Sequence, residues 1–284
     1  MPISILNSGH GDSDPGAVAN GLIERDINMV VAKIAKELME FNGITVPPII
    51  SGSDLNEVIR KVNDIHAKTP VGMAHSLHHN AGKGDGSETI HSVNYGQATV
   101  FAKILQEEFD KIGQNRHGSG FVTKLNSSGS DYFGFIRSTN PSAIISEFAF
   151  IDSSDYKIID TYEEQYAEGE AIAKAHCRFY GITFKSPKQT LTIQSTNNNN
   201  QGRDNVEFAV IGFSLKDLGA CMLVAEKYGN CAIYFRNTDK TFNSDCLKAN
   251  TLFVIGGSSV GHKNEKLLSG LTAKDTMQSV VNIL

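Results

Sequence analysis

The sequence predicts an α/β protein: a mostly parallel sheet flanked by helices, followed by a smaller C-terminal α/β domain. Three observations carry this reading. Short apolar runs alternate with segments of helical periodicity over residues 1–184, with turn-rich loops between them. The stretch QSTNNNNQGRDN (194–205) holds almost nothing that can be buried. After it a second, shorter alternation of apolar runs and one helical segment begins. Strands joined through helices favour parallel pairing, because such a crossover returns the chain to the same end of the sheet.

The elements follow in order. ISIL (3–6) is a strand, broken by the turn residues of SGHGDSDPG. Ile27, Val31, Ile34 and Leu38 recur at helical spacing and stop near Asn42 and Gly43, after which ITVPPII is extended chain. Leu55, Val58, Ile59, Val62 and Ile65 mark a second amphipathic helix, with Ser53 or Asp54 as its N-cap. VGMAHSLHH is the next strand. Ala98, Phe101, Leu105 and Ile112 line a third helix, AIISEFAF (143–150) is a buried strand, and residues 162–180 form a closing helix ended by Gly181. The expected division is a catalytic domain over 1–184, a linker over 185–205 and a small domain over 206–284. In the last, VEFAVIGF, CAIYF and TLFVIGG are strands, with helices through Leu218, Met222 and Tyr228 and at the terminus.

Composition excludes several classes. About 40% apolar and 20% charged residues suffice for a core, while a net charge of −5 argues against a nucleic-acid partner. No run approaches the roughly 20 apolar residues of a membrane span, so membrane insertion is not expected. MPISILNSGH lacks a basic n-region and a long apolar h-region, so the expectation is synthesis in the cytoplasm without a signal peptide. Cys177, Cys221, Cys231 and Cys246 show no CxxC spacing and are expected to stay reduced.

Open α/β sheets place ligands at the carboxyl ends of their strands. His10 follows the first strand, Glu24 opens the first helix behind a turn through Pro15 and Gly16, and His78 ends the strand in SLHHN. Two imidazoles and a carboxylate with a fourth position open to water form a catalytic zinc arrangement. Strand alternation sorts the histidines of AHSLHHNAG: His78 faces one way, His75 and His79 the other. Glu147 is an ionisable residue inside an apolar strand. It is either the proton-shuttling base or a strand end pointing into solvent.

Together these residues resemble the zinc-dependent N-acetylmuramoyl-L-alanine amidases of the type-3 class, found in bacterial autolysins and phage endolysins. GHGDSDPGA…GLIERD, SLHHNA and PSAIISEFAF match, in order, that family's GHGGxDPGAxG…xE, SIHANA and PAVLVExGFxSN. The resemblance implies that His10, Glu24 and His78 hold zinc and that Glu147 is the catalytic acid/base. It also implies hydrolysis of the amide between the lactyl group of N-acetylmuramic acid and L-alanine. Two positions depart from the pattern. Asp12 replaces a small residue and reads as a partner for His10 or as a solvated turn cap. His79 replaces alanine and reads as a rim residue touching substrate. Asn80, directly after the pair, is a candidate for supporting the site or contacting substrate.

VEFAVIGF and KANTLFVIGGSS resemble the small wall-binding domains of clostridial-type phage amidases, which implies attachment to a wall polymer. VIGGSSVG is neither a Walker A loop nor a well-placed GxGxxG. A three-stranded unit leaves sheet edges open, so self-association through 206–284 is expected. The expected whole is a peptidoglycan hydrolase, a phage or prophage endolysin acting at the wall after release. The alternatives are a mother-cell lysis enzyme, a non-catalytic wall-binding protein, and a different zinc hydrolase such as a deacetylase or peptidase.

Overall fold

A computed structural model describes residues 1–186, 206–213, 217–229, 231–236, 241–270, 276 and 279–283. The chain forms two units, 1–196 and 197–284.

In chain order, the first unit contains β1 (Ser4–Ser8), a hairpin of β2 (Val18–Ala19) and β3 (Leu22–Ile23), α1 (Glu24–Phe41), α2 (Leu55–Lys68) and β4 (Met73–Asn80). Then follow β5 (Ser87–His91), α3 (Gln97–Lys111), β6 (Arg116–Val122), α4 (Gly134–Ser138), β7 (Ala143–Phe150) and α5 (Tyr162–Phe179). The sheet order is β1-β4-β7-β5-β6, and every pairing is parallel except β5 with β7. The expected mostly parallel sheet is therefore present, with two strands that apolar runs did not announce. β5 reads SETIH, whose side chains are all buried although four of them are polar, and β6 carries two glycines.

ITVPPII lies beside β1 but bridges it only at Ile3–Thr45 and Asn7–Ile50. Pro47 and Pro48 have no N–H to donate, so the ladder is interrupted between those points.

Period-2 alternation splits the core into two layers. Leu6, Leu77, Ile144 and Phe148 pack against α1, α3 and α5 through Val31, Phe101, Phe109 and Ile172. Ile5, Ala74 and Ile145 face the other way, against Val58 and Val62 of α2 and Phe135 of α4. Asp54, not Ser53, caps α2, accepting from Asn56 N at 2.9 Å. Thr161 and Glu164 form a reciprocal capping box at α5. Phe184 still packs on this core, and Lys185 exchanges two hydrogen bonds with Asn42. The remainder of the expected linker, from residue 187, lies outside the described residues.

The second unit has β8 (Val206–Gly212), α6 (Leu218–Lys227), β9 (Ala232–Phe235), β10 (Ala249–Ile255) and β11 (Glu265–Leu268), in the all-parallel order β11-β10-β8-β9. The fourth strand, EKLL, is short and half charged, which hid it from a hydrophobicity reading. The expected terminal helix falls largely outside the described residues.

Two histidines sit in the first core away from any cleft. His75 of β4 and His176 of α5 lie 5.7 Å apart between ring centroids, both against Phe101. His75 bonds to Ser146 Oγ (2.8 Å) and His176 to Ser4 Oγ (3.1 Å), which leaves one ring nitrogen of each without a partner. Burial lowers His75 to about 3 and His176 well below its ordinary value, so both rings are neutral when folded. Unfolded histidines take up protons below about pH 6.5, so stability is lost as pH falls below that value. Two protons give a slope approaching about 2.7 kcal/mol per pH unit. Compared by urea unfolding between pH 7 and 5, His176→Gln should lose less stability toward the acid end than the parent, by a slope approaching about 1.4 kcal/mol per pH unit for the one proton removed. An unaltered slope in that variant would contradict the assignment.

Candidate metal centre and cleft

The loop after β1 turns back on itself to present His10. Gly11 and Asp14 bridge across the turn, and His10 adopts φ 63°, a left-handed conformation that costs a non-glycine residue about 1–2 kcal/mol. Asp14 Oδ2 lies 2.7 Å from His10 Nδ1 and fixes the ring, which leaves Nε2 3.1 Å from Glu24 Oε1. The loop continues through Pro15 and Gly16 into the β2–β3 hairpin, which delivers Glu24 as the first residue of α1. Arg25 N donates to Pro15 O (3.1 Å) and Glu24 N to Ala17 O (2.9 Å), so the helix start is tied back onto the loop.

Glu24 is only 3% exposed. Its Oε1 lies 3.1 Å from both His10 Nε2 and His78 Nδ1, and accepts the main-chain N–H of His79 at 3.1 Å. Its Oε2 accepts from Ala17 N at 2.9 Å. Burial alone would raise its pKa, but the hydrogen bonds from His10 and His78 outweigh burial and hold it ionised far below the usual range. The reciprocal effect raises His10 to about 9, through Glu24 first and against its own desolvation, with Asp14 adding to the rise.

Donor atoms of His10, Glu24 and His78 all lie within 4.8 Å of one another. Two glycines shape this cradle. A Cβ on Gly9 would stand 2.3 Å from His78 Cε1, and one on Gly16 would stand 2.5 Å from Glu24 Oε2. Two converging ring nitrogens and a carboxylate oxygen fit a borderline transition ion such as zinc better than calcium or magnesium.

The triad opens onto a cleft of about 220 Å³. Leu55, Val58, Phe133, Phe135 and Ile145 form an apolar wall; Asn7, Asp14, Ser53 and Ser76 supply polar groups. Glu147 lines it too, paired in register with His78 on β4 and with Glu88 on β5, so all three share one face. Among the described residues its carboxylate takes no hydrogen bond. Burial, assisted by the charge of Glu24, raises its pKa against the opposing charges of His78, His79 and Lys124. The solvent-pointing reading of Glu147 is therefore not what the fold presents. The neighbouring Glu88 is buried and ion-paired with Lys124.

Other expected residues fall elsewhere. Asp12 does not touch His10; its Oδ2 accepts from Ser53 N at 3.4 Å, and Asp14 makes the contact for which Asp12 was the candidate. His79 does not reach the cleft rim. Its side chain is wholly buried on the opposite face, bonded to Asn28 and Glu168, as the alternation of β4 requires. Asn80 turns its side chain to the N–H of Ala81. Asp14 and Asn28 were missed, although each lies four residues after a ligand candidate. Helical spacing from Glu24 could have revealed Asn28, and nothing in the sequence singles out Glu168.

A layered α/β domain with a His–Glu–His centre and a carboxylate at one end of its parallel strands is the architecture of a metal-competent hydrolase. The chain belongs to the N-acetylmuramoyl-L-alanine amidase family, whose model matches residues 5–177. It is 29% identical over 190 residues to the uncharacterized protein YqiI of Bacillus subtilis, covering 62% of this chain and 83% of that one. It is 28% identical over 174 residues to the endolysin of Bacillus phage SPP1, covering 58% of this chain and 62% of that one. Cwp6 from Clostridium difficile superposes with a TM-score of 0.57 at 26% identity, over 63% of this chain and 29% of that one. The catalytic domain of CwlV from Bacillus (Paenibacillus) polymyxa var. colistinus shares the fold, with a TM-score of 0.55 at 18% identity over 64% of this chain and all of that one. The chain thus spans less than two thirds of the endolysin and less than a third of Cwp6.

The crowding at Gly9 makes a sharp test. Gly9→Ala should keep the far-ultraviolet circular dichroism of the parent but lose tight zinc binding, because His78 must leave its position. Parent-like zinc affinity would contradict this geometry.

Proposed function

We propose that the protein is a zinc-dependent peptidoglycan amidase that cleaves the bond between N-acetylmuramic acid and L-alanine. The observation that carries this reading is the convergence of His10, Glu24 and His78 beside Glu147 in one cleft, within a chain of the amidase family. His10, Glu24 and His78 would hold a zinc ion, which would supply Lewis-acid chemistry toward the scissile carbonyl and a water. The side chains do the rest. Asp14 fixes the His10 ring, the main-chain N–H groups of Ala17 and His79 fix Glu24, and the apolar wall shields the reacting groups from bulk water. Glu147, whose pKa burial raises above its ordinary value, would accept a proton from the attacking water and return it to the leaving amine.

An endolysin role, with synthesis in a host cytoplasm and action at the wall after release, is supported by the similarity to the SPP1 protein. No described helix is long and apolar enough to cross a membrane. The second unit is the wall-polymer module in this reading. Its groove of about 470 Å³ is lined by Phe208, Tyr228, Phe253, Glu265 and Lys266 among others. Its edge strands β9 and β11 are the elements through which copies would self-associate.

Digestion of purified peptidoglycan should release new L-alanine amines without new reducing sugars, and a chelator should abolish release. Reducing ends or internal peptide cuts would overturn the amidase reading. Glu147→Ala should bind zinc and lose turnover by at least about 100-fold, the scale of general acid–base catalysis; His78→Ala should lose both. Removing residues 206–284 should weaken sedimentation with cell walls while zinc binding persists; undiminished wall binding would refute the targeting role.

A further inference from the structure

Behind the triad, on the far side of the sheet, lies a line of buried polar groups that the reaction does not use. His79 and Glu168 are 2% and 1% exposed, and Asn28 is fully buried. Glu168 Oε2 lies 3.2 Å from His79 Nε2, and His79 Nδ1 lies 2.7 Å from Asn28 Oδ1. Asn28 Nδ2 donates to Gly9 O at 3.1 Å and reaches Glu24 Oε1 at 3.4 Å.

The polarity of this line follows from donor and acceptor accounting. Gly9 O and the Glu24 carboxylate can only accept, so the Asn28 amide must present its NH₂ to them and its oxygen to His79. That oxygen also only accepts, so His79 Nδ1 carries a hydrogen. On its other side the ring meets Glu168, from α5. Each link orients the next, and the last holds a ligand carboxylate together with the carbonyl preceding His10. Buried polar groups without partners are costly, so the line is either complete or strongly destabilising. The helix that supplies Glu168 is pressed onto α1 at the next residue: a Cβ on Gly169 would meet Ile34 Cγ2 at 2.7 Å.

We infer that Glu168, His79 and Asn28 are positioning residues that hold Glu24 for the metal and tie the zinc affinity of the site to the docking of α5. This rests on the zinc reading of the triad. Outer hydrogen-bond partners of metal ligands are typically worth about 10- to 100-fold in affinity. His79, from the strand face opposite the ligands, thereby serves the same centre as its neighbour His78.

The test uses the full chain and zinc alone, with affinity measured by competition against a chromophoric chelator. Asn28→Ala and Glu168→Gln should each bind zinc about 10-fold or more weakly than the parent. Asn28→Asp, which sets a carboxylate against Glu24, should lose more. Glu168→Gln keeps the shape of the side chain, so it remains informative if the Asn28 variants fail to fold. The unfolding temperature of the zinc-free proteins separates positioning from structure. A merely structural role would lower that temperature and leave zinc affinity unchanged, which would overturn the inference. Failure of the parent to bind zinc would overturn both this and the triad reading.

Discussion

Glu24 is a carboxylate with almost no contact with water, placed between two imidazoles, and the first unit is organised around keeping it there. Burying an unpaired charge is prohibitive, so every oxygen lone pair needs a donor. The main-chain N–H groups of Ala17 and His79, the Asn28 amide and the two ring nitrogens supply them. These five donors arrive from three segments: His10 and Ala17 from the loop after β1, His78 and His79 from β4, and Asn28 from α1 itself. The site is therefore not a local motif but a consequence of the β1–β4 pairing and of the hairpin that starts α1.

The strand β4 shows how one five-residue stretch serves three environments. His78 faces the cleft with Ser76, and His75 faces the core beside Phe101 and His176. His79 lies on the same side as His75 but further along, over α1 and α5. The same imidazole chemistry has different consequences in each place. In the cleft it offers a metal donor, deep in the core it is a neutral ring that destabilises the fold in acid, and next to Glu168 it becomes part of a polar brace. Burial and partner decide the role; residue type alone does not.

Much of this was legible in the chain. Apolar periodicity located α1, α2, α3, α5, β1, β4 and β7, and alternation alone sorted His78 from its neighbours. What periodicity could not find were β5, whose buried residues are mostly polar, the glycine-containing β6, and β11, which is short and half charged. The triad was readable because loops at strand ends are short and their ligand types distinctive. The supporting residues were harder. Asp14 and Asp12 are equivalent in composition, and only the turn that places His10 at positive φ selects the former. His79 read as a rim residue because a polar side chain beside a ligand suggests substrate contact. Its partners, Asn28 and Glu168, lie 51 and 89 residues away in sequence.

Metal at the Glu24 centre is the claim on which the chemistry turns. Anomalous diffraction from a zinc-soaked crystal, recorded on both sides of the zinc absorption edge, tests it most directly. One strong peak within coordination distance of His10, Glu24 and His78, absent below the edge, is the predicted result. A first unit with no such peak, or with zinc bound only at other side chains, would contradict it.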